Sequence, residues 1–190
     1  ELLDGENIPE NDLFQNLKEL DKINHLLGGY SITFKALKKV LNEDESYTIV
    51  DIGSGGGDTL KRIFNWSKKQ QLNVNLVGVD LKQTCIDYSE RVNPNSEIRF
   101  ICDDYRSLQS HLTQIDVIHA CLFCHHLSSQ EITELVQYAQ QQNATLVIND
   151  LQRHWFAYYS IKILTRIFSK SYLVKNDAPL SVLRGFVKSE

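Results

Sequence analysis

Three glycines at alternate positions follow an apolar, β-branched run: Ile49-Val50-Asp51-Ile52-Gly53-Ser54-Gly55-Gly56-Gly57-Asp58. Residues of these types in this order can close a tight turn over a small ligand. Glycine reaches backbone conformations closed to other residues and lets a ligand approach the main chain. The unpaired N–H groups that open the following helix point at the same place. The pattern predicts a nucleotide-type pocket. Further acids stand where later apolar runs end, Asp80 after Val77-Gly78-Val79 and Asp103-Asp104 after Phe100-Ile101-Cys102. A carboxylate there can accept a hydrogen bond from each of two vicinal hydroxyls, one per oxygen. A lone acid in a loop is commonly a cap. Acids at three successive strand ends argue for a site.

The choice of nucleotide follows from spacing and charge. A dinucleotide fingerprint wants G-x-G-x-x-G. Here Gly53, Gly55 and Gly57 give G-x-G-x-G, with Asp58 next and Asp51 two residues upstream. A pyrophosphate would meet both acids, whereas a ligand carrying an ammonium and a sulfonium would be drawn to them. Charge turns the reading from NAD toward S-adenosylmethionine.

A second cluster lies at Cys121-Leu122-Phe123-Cys124-His125-His126. A neutral imidazole is a suitable base near neutral pH, and His126 is favoured over His125 for that role. Either histidine alone reads equally well as a cap or as packing under the loop. The same residues spell C-x-x-C-H, a haem-attachment pattern, but no export signal precedes it. Four ligands within six residues cannot easily close a zinc tetrahedron. Free thiols packed in the core are the better account, and no metal is expected.

These residues must be held by alternating elements. Apolar periodicity predicts helices at 11–27 (capped by Asn11, ended by Gly28-Gly29), 31–41, 58–69 and 83–91. Strands are predicted at 47–52, 74–79, 98–102, 115–121 and 145–148, the last ending near Asp150. Ser128-Ser129-Gln130-Glu131 reads as a capping box. Helical patterns recur at 153–169 and 181–190. Such alternation gives an α/β fold, a doubly wound and mostly parallel sheet with ligands at the carboxyl ends of its strands.

The motifs from about residue 45 to residue 150 resemble, in order and spacing, those of the class I S-adenosylmethionine-dependent methyltransferases, in particular the small-molecule branch with the quinone-biosynthesis methylases. The resemblance implies a Rossmann-like sheet of strand order 3-2-1-4-5. It implies that Asp51, Gly53, Ser54, Gly55 and Gly57 hold the methionine part of the cofactor. Asp80 would bind the ribose hydroxyls and Leu81 pack on adenine. Asp104, with Asp103 as the alternative and Tyr105 beside it, would read the adenine amino group. Ala120 and Cys121 would border the reacting methyl, and the helices before strand one, including Tyr30, would close over the cofactor. One departure stands out. The family sheet ends in an antiparallel hairpin beyond strand five, and none is evident after Ile148. A C-terminal truncation is the expectation, since strand five would otherwise be an exposed edge.

Residues 1–44 are thus read as covering helices, 45–150 as the cofactor-binding core and 151–190 as a helical lid or substrate segment. That last segment carries seven Lys/Arg against Asp177 and Glu190, net +5, leaving −9 for the remainder. Its helix has a wide apolar arc from Trp155 to Phe168. Such an arc must be buried, form a lid or touch lipid, and packing on the domain is the plainer expectation. Arg153, His154 and Trp155 follow strand five directly and are candidate acceptor contacts. The overall charge of −4 offers no reason for a nucleic-acid partner. Four cysteines without a framework spacing point to reduced thiols in the cytoplasm. Partners are then a small-molecule acceptor, a membrane surface touched by the 153–170 helix, and a second copy in a homodimer. The reading is methyl transfer to oxygen or carbon of a hydrophobic, aromatic acceptor, with S-adenosylhomocysteine as product. The alternatives are an NAD-dependent oxidoreductase and a non-catalytic cofactor-binding domain.

Overall fold

The computed structural model describes residues 1–5, 8–94 and 97–188. Its centre is a five-stranded, all-parallel sheet in the order β3-β2-β1-β4-β5. The strands are β1 (Ser46–Ile52), β2 (Asn73–Asp80), β3 (Ile98–Cys102), β4 (Val117–Cys121) and β5 (Thr145–Asn149). The helices are α1 (Glu10–Leu26), α2 (Gly29–Leu37), α3 (Asp58–Lys69), α4 (Gln83–Val92), α5 (Ser129–Gln141), α6 (Trp155–Phe168) and α7 (Tyr172–Arg184). Among the described residues no helix is long and apolar enough to cross a membrane.

Strand parity divides the core. Val50, Ile52, Val77, Val79 and Ile118 face one side and pack with Leu135, Tyr138 and Ala139 of α5. Ile49, Leu76, Val117 and Val147 face the other and pack with Leu37 of α2 and Leu60 and Ile63 of α3. Successive side chains of a strand point to opposite faces. Asp51 therefore shares the α2/α3 face, and its registered neighbour His119 does too. The capping box forms as read, with Ser128 accepting from the Glu131 amide and Glu131 accepting from the Ser128 amide.

Gly78 is small because Phe100 needs its space. A Cβ there would lie 2.7 Å from the Phe100 ring and 2.8 Å from Leu60. Gly78→Ala is expected to lower stability by about 1–3 kcal/mol through overpacking. The check is a lower urea midpoint at unchanged slope.

Three expectations are corrected. Asn11 does not cap α1; Pro9 occupies the cap position without a side-chain bond, and the helix opens at Glu10. The final helix is not 181–190 but α7, capped by Ser171, running through the interior Pro179 and closed by Gly185. Residues 189 and 190 of that expected helix lie outside the described residues. Pro179 hid the helix, since proline usually marks a break. Beyond β5 the chain makes one parallel bridge, Gln152 to Phe186, closed by backbone bonds of 2.9 and 2.8 Å. Lastly, the apolar arc of α6 is not packed away. It meets α7, buries Ile161, and leaves Trp155, Phe156, Tyr159, Ile163, Ile167 and Phe168 exposed.

Candidate functional site

The glycine turn between β1 and α3 has the geometry its residues demand. Gly53, Gly55 and Gly57 all take positive φ, at 64°, 51° and 71°. Side chains rarely adopt that region without strain. The turn is held from β2: the Ser54 amide donates to the Val79 carbonyl and the Gly55 amide donates to Asp80 Oδ2, both at 2.9 Å. The other Asp80 oxygen accepts from the Lys82 amide at 2.9 Å. Asp80 is thus fixed at the strand end with lone pairs to spare, although burial raises its pKa. Beside it Leu81 is 72% exposed, a bare apolar surface next to a fixed carboxylate. The Ser54 hydroxyl is buried and finds no hydrogen-bond partner among the described residues. Such an orphan is costly and marks a place where a ligand's polar group fits. The Gly55 amide, which a phosphate-binding loop would offer to its anion, is here committed to a carboxylate.

Helices α1 and α2 close over the turn. Leu17 of α1 approaches Gly55, and from the other side of the chain Tyr88 of α4 approaches Gly56. Tyr30 is buried and bridges two acids, donating to Asp21 at 2.8 Å and making a short contact with Asp58. Burial and both carboxylates hold its phenol well above the ordinary range, so it stays a donor. Arg62 lies 3.4 Å from Asp21. Burial, with the charge of Asp21 adding to it, pushes the Asp58 carboxyl up to about 6. A folded-state pKa above the unfolded 3.8 means stability that is complete below pH 3.8 and lost as pH rises to about 6. Between those limits wild type should lose about 1–3 kcal/mol more than Asp58→Asn, in urea titrations of both at each pH.

Asp51 turns away from the turn. It is buried and accepts from His119 at 2.6 Å, while the far nitrogen of His119 lies 3.2 Å from Thr33 of α2. Asn149 of β5 donates to Thr33 and to the Gly29 carbonyl, both at 2.9 Å. This buried polar chain joins β1, β4 and β5 to the covering helix. Sequence reading missed His119, Thr33 and Asn149; for His119 and Asn149 the signal was a polar residue inside an apolar strand, and Thr33, on α2, carried none. Asp51 is thus tied into this buried frame through His119.

At the end of β3, Asp103 and Asp104 are both engaged. Asp104 caps the turn at 105–110, accepting from the Arg106 amide and guanidinium at 2.9 Å. Asp103 lies 2.8 Å from His111, a pairing that holds its carboxyl below the usual range. The Tyr105 side chain is core, edge-on to Tyr138. Ala120 is likewise sealed in the core.

The loop after β4 carries the second cluster. Leu122 takes a positive φ of 53°, and its amide donates to the Asn149 carbonyl. Strain of that kind gathers at functional sites. Phe123 lies over Gly53, so closely that a Cβ there would sit 2.2 Å from its ring. Burial pushes the Cys121 and Cys124 thiols up to about 12, so neither offers a thiolate. The histidines differ in kind. His125 is buried, its Nδ1 2.7 Å from Asp150 Oδ1 and its amide 3.1 Å from Asp150 Oδ2. His126 is partly exposed, with Nε2 3.8 Å from Glu1. The sequence favoured His126 as the base; the structure sets the buried Asp150 behind His125 and Glu1 beside His126. Asp150 was noted only as a strand end, though it obeys the rule that singled out Asp80 and Asp103. Past β5, His154 caps α6 through a 3.2 Å bond and stacks on Trp155. The Arg153 backbone joins the bridge to Phe186. The structure places these three on the strand-end rim but brings none of them against the glycine turn.

Comparison with known proteins agrees with this layout. A family model described as a methyltransferase domain matches residues 49–145, just over half of the chain. A probable polyketide synthase of Dictyostelium discoideum is 29% identical over 92 residues, 47% of this chain and 3% of that protein. The chain thus spans a small part of that relative. Among solved structures, the plantazolicin methyltransferase BpumL in complex with SAH superposes at a TM-score of 0.62 and 22% identity, over 95% of this chain and 70% of its own. A candidate S-adenosyl-L-methionine-dependent methyltransferase of Methanococcus maripaludis gives 0.54 and 15%, over 85% and 75%. At such identities the likeness is one of fold.

Proposed function

The chain belongs to the methyltransferase domain family, and we propose that it moves a methyl group from S-adenosylmethionine to oxygen or carbon of a small, hydrophobic, aromatic acceptor such as a phenol, quinol or polyketide-like ring. The observation that carries this reading is Asp80, fixed by the Gly55 amide beside the exposed Leu81. A ribose diol fits the carboxylate and an adenine face fits the leucine. Ser54, with its unpartnered hydroxyl, and the backbone of Gly53–Gly57 would hold the amino-acid end. The adenine amino edge would fall to Asp103 and Asp104. Tyr30 and α2 exclude water above the turn.

When bound, the cofactor supplies a methyl group already activated on a sulfonium sulfur. The chain's own task is alignment and, for an oxygen acceptor, removal of a proton. Positioning of this kind supplies several kcal/mol of barrier reduction. His125, with Nδ1 turned to Asp150, has Nε2 to receive that proton; His126 lies beside it, ring centroids 4.3 Å apart. Arg153, His154 and Trp155 are then rim contacts for the acceptor. The exposed face of α6 serves as a lid or a membrane contact for a greasy acceptor. The family relatives whose names refer to plantazolicin and to a polyketide synthase fit an acceptor of that class. Four free cysteines suit a reducing cytoplasm.

A direct comparison tests the reading. Calorimetry should give micromolar binding of S-adenosylhomocysteine and none of NADH. Binding of NADH alone would overturn it in favour of an oxidoreductase. Cofactor binding without methyl transfer to any of a panel of phenols and quinols would favour the non-catalytic domain.

A further inference from the structure

We propose that Glu1, His125 and His126 form a binding site for one divalent transition-metal ion, of the zinc or ferrous-iron type. One donor atom from each residue lies within 4.8 Å of the others. Glu1 comes from the start of the sequence and the two histidines from the loop after β4, and Glu1 and His125 are each set in place by other partners. The residue 2 and 3 amides donate to the buried Asp177 of α7 at 2.9 and 2.7 Å. That anchors the start of the chain on α7. One turn along the same helix, Ser181 donates to Glu1 Oε1 at 2.9 Å, and Arg184 lies 3.7 Å from the same oxygen. Glu1 Oε2 is left facing His126 Nε2 at 3.8 Å. His125 has its Nδ1 held by Asp150, so Nε2 is the nitrogen it has to give.

An ion pair between Glu1 and His126 would account for those two residues alone. It would not account for a second imidazole in the same place, backed by a buried acid. A carboxylate behind one ring nitrogen, with the other aimed at a shared point, is how proteins orient metal-binding histidines. The Glu1 carboxylate and the His125 side chain are only 2% and 3% exposed. Arg184, 3.7 Å from Oε1, offsets part of that buried charge, and a cation between the three donors would sit at Oε2, the oxygen that faces His126. Two imidazoles and a carboxylate suit zinc or ferrous iron better than magnesium or calcium. Donors about 2.1 Å from a tetrahedral ion stand about 3.4 Å apart, so closing the site asks for about 1 Å of movement. Neither cysteine of the neighbouring C-x-x-C joins the group.

The role of such an ion rests on the acceptor reading above. Next to the loop that lies over Gly53, it would bind the acceptor's oxygen and make its proton easier to lose to water; with the ion bound, His125 Nε2 is a ligand and the ion takes over the role given above to the free imidazole. The site itself does not depend on that reading, and its test uses the metal alone. The apo chain is titrated with Co²⁺ and followed by visible absorption. The expected result is one equivalent bound, with the intense bands of a low-coordinate site. In Glu1→Gln and in His126→Ala, affinity should fall at least tenfold while the melting temperature stays near wild type. Glu1→Gln keeps the bond to Ser181 and removes only the charge, so the two variants cover each other if one folds poorly. No Co²⁺ spectrum in the wild type, or the same spectrum and affinity in both variants, overturns the proposal. S-adenosylhomocysteine binding, measured alongside, would be untouched by either result.

Discussion

Asp80→Ala should abolish useful cofactor binding. The carboxylate is expected to accept from both ribose hydroxyls, and hydrogen bonds to a charged group are worth about 1.5–3 kcal/mol each. Losing two of them raises the S-adenosylhomocysteine dissociation constant roughly 100-fold or more. The variant also frees the Gly55 amide, which now donates to Asp80 Oδ2 at 2.9 Å, so the turn loses its fixed position as well as its ligand contact. Asp80→Asn keeps one acceptor oxygen and should fall between. Isothermal titration is the measurement. Asp80→Ala binding within threefold of wild type would place the ribose elsewhere and sink the cofactor assignment.

The second large effect belongs to the pair behind β4. His125→Ala should lower kcat by about 10²–10⁴-fold, the usual range for a positioned proton-transfer group, with S-adenosylhomocysteine affinity unchanged. Asp150 touches no substrate in this reading; it is a positioning residue. It accepts from His125 at Nδ1 and at the amide and from the Leu151 amide. Asp150→Asn keeps the shape and removes the charge. A loss of about 10–100-fold in kcat is expected, with KM for the acceptor little changed. Equal losses in kcat and in cofactor affinity would show a merely structural role.

Much of the fold was legible in the residues. β-branched runs ending in acids and glycines, alternating with amphipathic helices, gave the element types, and Asp58–Lys69 and Ile98–Cys102 came out at the observed bounds. Local chemistry writes such features: the helical period, the capping box, the turn that only glycine can make. What misled was also local. Pro179 reads as a break, yet α7 carries it through while Asp177 anchors the chain's start. The apolar stripe of α6 reads as buried, yet periodicity says that a face is apolar and not what covers it. The structure leaves that face bare over most of its length.

What the sequence determined by itself is the cofactor end. The glycine turn, Asp80 and Leu81 lie within one β-α-β unit, where spacing along the chain fixes spacing in space. Only the tertiary structure decided which residues meet around the loop after β4. Asp51 meets His119, His125 meets Asp150, and Glu1 meets His126 across 68, 25 and roughly 125 residues of chain. Parallel strands put residues far apart in sequence side by side, and β4 lying next to β5 set Asp150 behind His125.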